Sequence, residues 1–141
     1  MSAYVDTSGL VKLLVPEVGS DTMEDIWELF DDRYASLLGY AELRSAVAAA
    51  MRGRRLDEVT VLATRHQLDV LWSRLAAVEV DEQLVRDAAD LSDRHGLRAG
   101  DAIHLASALR IAEGPTTFIA FDGPLRDAAA AEGLIVLPDA A

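Results

Sequence analysis

Ala3-Tyr4-Val5-Asp6-Thr7-Ser8-Gly9-Leu10-Val11-Lys12 is the stretch that decides the fold. A short β-favouring run stops at Asp6, and a helical pattern starts at once at Ser8. Asp6 is therefore expected at the carboxyl end of a buried strand, beside a helix N-terminus. In open α/β sheets that edge is where ligands bind. One acid there has little weight alone, so the reading depends on whether other acids meet it.

The remaining chain repeats the same unit. Ser8 to Val15 reads as a short helix stopped by Pro16. Asp21 is expected to cap the next helix, where Met23, Ile26, Trp27 and Phe30 form one apolar stripe. Tyr34 to Leu38 reads as a second buried strand, and Gly39 releases the chain into an Ala-rich helix from about Tyr40 to Arg52. A helix from about Asp57 to Leu75 carries Val61, Leu68, Trp72 and Leu75 on one face, with Val59, Leu62 and Val70 off it. Ala77 to Val80 is a short strand, Asp81 caps a helix reaching Arg94, and Gly96 ends it. Gly100-Asp101 opens a largely apolar helix through Leu109. The strand Thr117 to Phe121 is stopped by Asp122-Gly123-Pro124. A helix from Leu125 to Ala131 then leads into a last strand, Leu134 to Leu137. Five strands alternating with helices imply a parallel sheet covered on both faces, an α/β three-layer sandwich. Without a repeat or linker, residues 1–141 are expected to form a single domain.

Composition narrows the chemistry. Hydrophobic residues make up 51% of the chain, which argues against disorder. The absence of Cys excludes a disulfide framework, a thiol nucleophile and a thiolate metal site. Carboxylate, imidazole and carbonyl ligands remain, and carboxylates suit Mg²⁺ or Mn²⁺. No apolar run reaches membrane-spanning length and the N-terminal segment does not read as a signal peptide, so a cytoplasmic protein with no membrane partner is expected. The formal charge of −11 argues against tight nonspecific binding to nucleic acid. It does not exclude a nuclease whose carboxylates hold divalent cations, because the cation reverses the local sign.

Four acids are expected at the sheet edge where Asp6 lies. Asp122 ends the Phe118–Phe121 run as Asp6 ends the first strand, Glu42 lies in the first turn of the helix after the second strand, and Asp101 opens a buried helix. Singly, each has an ordinary structural account: turn residue, cap, or acid favoured by the helix dipole. Jointly, unpaired acids crowded on one rim repel and cost stability unless a cation joins them, so the set points to a metal. Ser8 serves equally as a helix-start residue or as a hydroxyl that orients water or phosphate. His104, three residues after Asp101 among Ile103, Leu105 and Ala106, reads as packed rather than as a ligand. His66 and His95 read as surface residues. Arg52, Arg54 and Arg55 close a helix, where the dipole accounts for them. Lys12 and Arg44 lie within reach of a substrate phosphate.

These segments resemble PIN-domain proteins, particularly the VapC-type toxins of toxin–antitoxin pairs. The likeness runs through Tyr4–Leu13, Tyr40-Ala41-Glu42-Leu43-Arg44-Ser45-Ala46, Leu97–Ala106 and Phe121-Asp122-Gly123-Pro124-Leu125, in the family's order and spacing. It implies strand order 3-2-1-4-5 and a Mg²⁺- or Mn²⁺-dependent ribonuclease site. The family's acidic quartet falls on Asp6, Glu42, Asp101 and Asp122, with its hydroxyl position on Ser8. It also implies a homodimer, an RNA substrate, and a cognate antitoxin that wraps over apolar helices and blocks the acids. One departure is that many relatives carry a further acid soon after the Asp122 position, where this chain has Gly123-Pro124-Leu125. The expected reaction is metal-assisted phosphodiester hydrolysis, with Asp6, Asp101 and Asp122 holding the cation and Glu42 binding it directly or through water. Two other readings stand beside it. One is a catalytically inert interaction module. The other is a haloacid-dehalogenase-type phosphatase, which would need a second Asp where Ser8 stands.

Overall fold

Ala3, Tyr4 and Val5 alternate between the two faces of one strand, as β geometry requires. Tyr4 joins one apolar core, whereas Ala3 and Val5 join the other, and all three are fully buried. Both faces are therefore covered, which is why the run is apolar throughout rather than alternating with polar residues. The computed structural model describes residues 2–54 and 57–139. Among these are strands β1 (Ser2–Val5), β2 (Asp32–Ser36), β3 (Ala76–Val78), β4 (Thr116–Ile119) and β5 (Ile135–Leu137). The helices are α1 (Thr7–Leu14), α2 (Ser20–Trp27), α3 (Leu38–Arg54), α4 (Glu58–Trp72), α5 (Glu82–His95), α6 (Ala99–Ile111) and α7 (Gly123–Ala131).

The sheet is parallel throughout, in the order β3-β2-β1-β4-β5. Tyr4 lies level with Tyr34 on one side and Phe118 on the other, so β1 is the central strand. All strands point the same way, and the segments that leave β1, β2 and β4 emerge on one rim. One core joins Tyr4 and Phe118 to Leu84, Leu91, Leu105 and Leu125 of α5, α6 and α7. The other joins Val5 and Ile119 to Leu10, Met23, Leu43 and Leu68 of α1 to α4. Full burial of each such side chain stabilises the fold by roughly 1.5–3 kcal/mol. The expected three-layer α/β sandwich and strand order are thus both present.

Local readings fare unevenly. Asp57 and Asp81 cap α4 and α5 through the backbone N–H groups of Thr60 and Leu84, and Gly96 ends α5 in the left-handed region at φ 67°. Asp21 does not cap α2. Gly19 does, at φ 95°, and Asp21 falls inside the first turn. A side chain at Gly19 would also press on the Lys12 stem, its β-carbon only 2.9 Å from Cε. Helix α3 begins at Leu38 rather than Tyr40, which moves Glu42 from the first turn to the second. Strand β4 stops at Ile119, so Ala120 and Phe121 form the approach to Asp122 rather than the strand itself.

The stripe Met23, Ile26, Trp27 and Phe30 is buried in the core, so it offers no surface to a partner. On α4, by contrast, Leu68 is buried while Val59 and Leu62 are 77% and 57% exposed. His95 is not a free surface residue, because its Nε2 lies 3.0 Å from Glu132, which Arg94 also grips at 2.8 Å. Arg54 does more than end a helix, donating to the Pro16 carbonyl at 2.9 Å. Arg55 lies outside the described residues. No helix among the described residues is long and apolar enough to cross a membrane.

Candidate functional site

Asp6 continues the ladder past β1, its N–H bonding the Ile119 carbonyl at 2.9 Å, and then turns the chain into α1. Its side chain is almost fully buried, 7% exposed. Oδ2 accepts the Ser8 hydroxyl at 2.7 Å and the Ser8 N–H at 3.3 Å. The Ser8 oxygen in turn accepts the N–H of Phe121 at 3.2 Å. Ser8 therefore ties Asp6 to the segment that delivers Asp122. That segment is held from the other side by Arg126, which donates to the Ala120 carbonyl at 2.7 Å. Asp122 is the N-cap of α7 and accepts the Leu125 N–H at 3.3 Å, with Pro124 in the first turn where its missing N–H costs nothing.

Glu42 reaches the same rim from α3. Its Oε1 accepts the Thr7 hydroxyl at 2.9 Å and lies 2.5 Å from His104 Nε2. The start of α6 approaches its other oxygen, because a β-carbon on Gly100 would stand 3.4 Å from Oε2. Asp101 follows in the first turn of α6.

Electrostatics join the four acids. Partial burial pushes the Asp101 carboxyl above the ordinary carboxylate range, and the charges of Asp6 and Asp122, with Glu42 behind them, push it further. The His104 hydrogen bond holds Glu42 below that range, outweighing its partial burial. Burial opposes charging of His104, yet the Glu42 hydrogen bond and the charges of Asp6, Glu42 and Asp101 together raise it. Among the described residues, none of the four acids forms an ion pair with Lys or Arg. Four carboxylates without sulfur, with His104 against Asp6 and Glu42 but no Lys or Arg paired to any of them among the described residues, make a donor set that suits a hard divalent ion. Among the described residues, however, no three acids or imidazoles close into a ready-made ligand cluster. Each of three acids is held by its own partners: Asp6 by Ser8, Asp122 by the Leu125 N–H, and Glu42 by Thr7 with His104.

Other sequence expectations fall to the side of this rim. Lys12 pairs with Glu17 at 3.1 Å and lies 4.3 Å from the Phe121 ring centre, so its charge is already engaged. Arg44 is exposed and donates to the Tyr40 hydroxyl at 3.0 Å. His104 is packed, as its apolar neighbours suggest, at 1% exposure, but it also faces Glu42 and stands 3.5 Å from Asp6. Tyr4 and Thr7, which sequence reasoning passed over, complete its surroundings. The available signal was a tyrosine in the central strand, whose buried hydroxyl needs a partner.

Comparison with known proteins agrees with the fold. The family model described as PIN domain matches residues 3–131. Ribonuclease VapC49 of Mycobacterium tuberculosis is 35% identical over 135 residues, covering 96% of this chain and 94% of the relative. Among solved structures, VapC20 of M. tuberculosis, described as a sarcin-ricin loop cleaving toxin, aligns with a TM-score of 0.69 at 20% identity, over 94% of this chain and 96% of that one. A chain of a toxin-antitoxin complex from Klebsiella pneumoniae aligns with a TM-score of 0.59 at 20% identity, over 85% of this chain and 86% of that one.

Proposed function

The chain belongs to the PIN-domain family, among its VapC-type members, and from that premise we propose that it is a divalent-cation-dependent endoribonuclease, the toxin of a toxin–antitoxin pair. The observation that carries this reading is the position of Asp101. Burial and the charges of Asp6, Asp122 and Glu42 push its carboxyl up against the opposing pull of His104, and no Lys or Arg pairs with it among the described residues. A fold keeps such an arrangement at a cost in stability, and a bound cation repays it.

Asp6, Asp101 and Asp122 would hold Mg²⁺ or Mn²⁺, with Glu42 binding directly or through water. When bound, the cation lowers the pKa of water and stabilises charge on the phosphoryl oxygens. The protein's own groups do the rest. Ser8 fixes the Asp6 carboxylate and the approach to Asp122 together, so that both acids face the rim in one setting. The same hydroxyl lies next to the acids, where a scissile phosphate would sit. With a formal charge of −11, recognition of RNA would rest on the cation–phosphate contact and on RNA shape rather than on a basic surface.

Two protein partners belong to this reading, a second copy of the chain and a cognate antitoxin. The uncovered apolar row Val59, Leu62 and Val70 on α4 supports a protein partner. So does the neighbouring groove lined by Leu13, Leu14 and Val70. A cytoplasmic location accompanies the reading. The test is RNA cleavage by the purified protein. Activity should vanish with excess chelator, return with Mg²⁺ or Mn²⁺, and be lost in Asp101→Asn. Cleavage that survives either treatment contradicts the proposal.

A further inference from the structure

Tyr4 and His104 are separated by a hundred positions and meet beneath the acidic rim, where they do something packing alone does not require. The Tyr4 hydroxyl accepts the N–H of Ser36 at 2.9 Å and lies 2.7 Å from His104 Nδ1. On the other side of the ring, Nε2 is 2.5 Å from Glu42 Oε1. Glu42 Oε1 accepts the Thr7 hydroxyl and faces His104 Nε2, the setting of a carboxylate oxygen between two donors. Nε2 must then carry the hydrogen. In the neutral ring Nδ1 is left as an acceptor, which the Tyr4 O–H satisfies. In the charged ring Nε2 still donates to Glu42. Either way Nε2 donates to Glu42 and the Tyr4 oxygen accepts from Ser36; only the Tyr4–Nδ1 bond changes direction when Nδ1 gains its proton. Thr7 donates to the same Glu42 oxygen at 2.9 Å, so Oε1 is doubly occupied. Oε2 accepts no hydrogen bond among the described residues and lies beside Gly100, next to Asp101 in sequence.

We infer that His104 is a positioning residue, braced by Tyr4, which claims one oxygen of Glu42 and so fixes the other for the cation. The inference rests on the nuclease reading and adds to it two residues outside the acidic set. A carboxylate oriented by an outer partner binds a metal more tightly than one free to rotate, because less side-chain freedom is lost on binding, and losing such a partner typically costs about 10–100-fold in metal affinity.

The test is a mutant cycle on the full chain, read by Mn²⁺ titration calorimetry and by cleavage of total RNA. His104→Leu, which keeps the volume but donates nothing, should weaken Mn²⁺ binding about 10–100-fold and slow cleavage in step. His104→Gln retains a donor near the Nε2 position and should recover most of the loss. In a Glu42→Gln background, His104→Leu should cost nothing further, because residues acting through one another are not additive. Tyr4→Phe keeps the ring that stacks on Phe118 at 5.5 Å and removes only the hydroxyl. It should show a smaller loss in the same direction, and it carries the test if His104→Leu does not fold. Equal losses from His104→Leu in both backgrounds, or no recovery with Gln, overturn the positioning role while leaving the nuclease reading intact. A wild-type protein that neither binds Mn²⁺ nor cleaves RNA overturns the nuclease reading and this inference with it.

Discussion

Asp81 and Asp101 are both aspartates at the start of a helix, yet their surroundings treat them oppositely. Asp81 caps α5 and receives both arms of the Arg110 guanidinium, at 2.8 and 2.9 Å. The Arg110 hydrogen bonds, helped by the Leu84 N–H, hold its carboxyl at about 2. Asp101 opens α6, whose last turn supplies that same Arg110. It has burial and three other acids against it, and its carboxyl is pushed up. One end of α6 thus satisfies an acid and the other leaves one uncompensated. Asp81 is satisfied within the folded protein, whereas Asp101 keeps a raised carboxyl that the opposing charge of His104 only partly offsets, as the proposed cation site requires. That difference separates an acid that builds the fold from an acid that the fold holds for another purpose.

The comparison breaks most visibly in activity. Asp101→Asn should lower RNA cleavage by on the order of 10²–10³-fold, the loss expected when one charge-stabilising group is removed from a reaction site. Asp81→Asn should leave the cleavage rate unchanged in the same assay. A comparable loss in both would mean that activity follows stability and not the rim.

Asp122 combines both kinds of acid, since it caps α7 and also joins the charge around Asp101. Asn is as good a cap as Asp, whereas Ala loses about 1 kcal/mol at such a position. Asp122→Asn should therefore lose cleavage with little loss of stability, and Asp122→Ala should lose both. Urea unfolding beside the cleavage assay reads the two effects separately.

The pH dependence should run in opposite directions at the two sites. Asp81 is depressed from an ordinary value of 3.8, so its contribution to stability is present above pH 3.8 and is lost as pH falls through about 2. Asp101 is raised from 3.8, so its contribution is present below that pH and is lost as pH rises through the folded-state value. In metal-free protein the Asp101→Asn variant should gain on the wild type as pH rises from 4 toward neutrality. The Asp81→Asn variant should lose its deficit only in strong acid. Denaturant midpoints across a pH series would show both.

The smallest effect belongs to α4. Leu62 is 57% exposed, so Leu62→Ser should change unfolding free energy by less than about 0.5 kcal/mol. Its effect should instead be a weaker self-association or weaker antitoxin binding, measured by analytical ultracentrifugation of the protein alone and with its co-expressed cognate antitoxin.

The layered sheet and its acidic rim were legible because they follow from local patterns. Apolar runs of strand length, Asp at two strand ends and Gly or Pro at the breaks place the acids once the strands are parallel. Four sequence blocks then supplied the family resemblance, and the family's match removes the phosphatase alternative. What the acids touch was not legible. Tyr4 with His104, Ser8 with Phe121, Arg110 with Asp81 and His95 with Glu132 are all pairs distant in sequence. A hydrogen bond between distant side chains leaves no period to find. Gly19 stands in place of Asp21 as the α2 cap, at φ 95°, a left-handed conformation that glycine adopts without strain. The Trp27 and Phe30 stripe has the same helical spacing whether it meets a core or a partner, and only the tertiary packing put it in the core.

The most direct measurement is thermal unfolding of the wild type and Asp101→Asn, each without metal and with saturating Mn²⁺. A ligand that binds only the folded form raises the melting temperature, by an amount that grows with the logarithm of its concentration over its Kd. Mn²⁺ should raise the wild-type midpoint, Asp101→Asn without metal should melt no lower than the wild type, and Mn²⁺ should give the variant little or no increase. A metal-free variant that melts well below the wild type would make Asp101 a structural acid like Asp81, and a wild type indifferent to Mn²⁺ would remove the cation site.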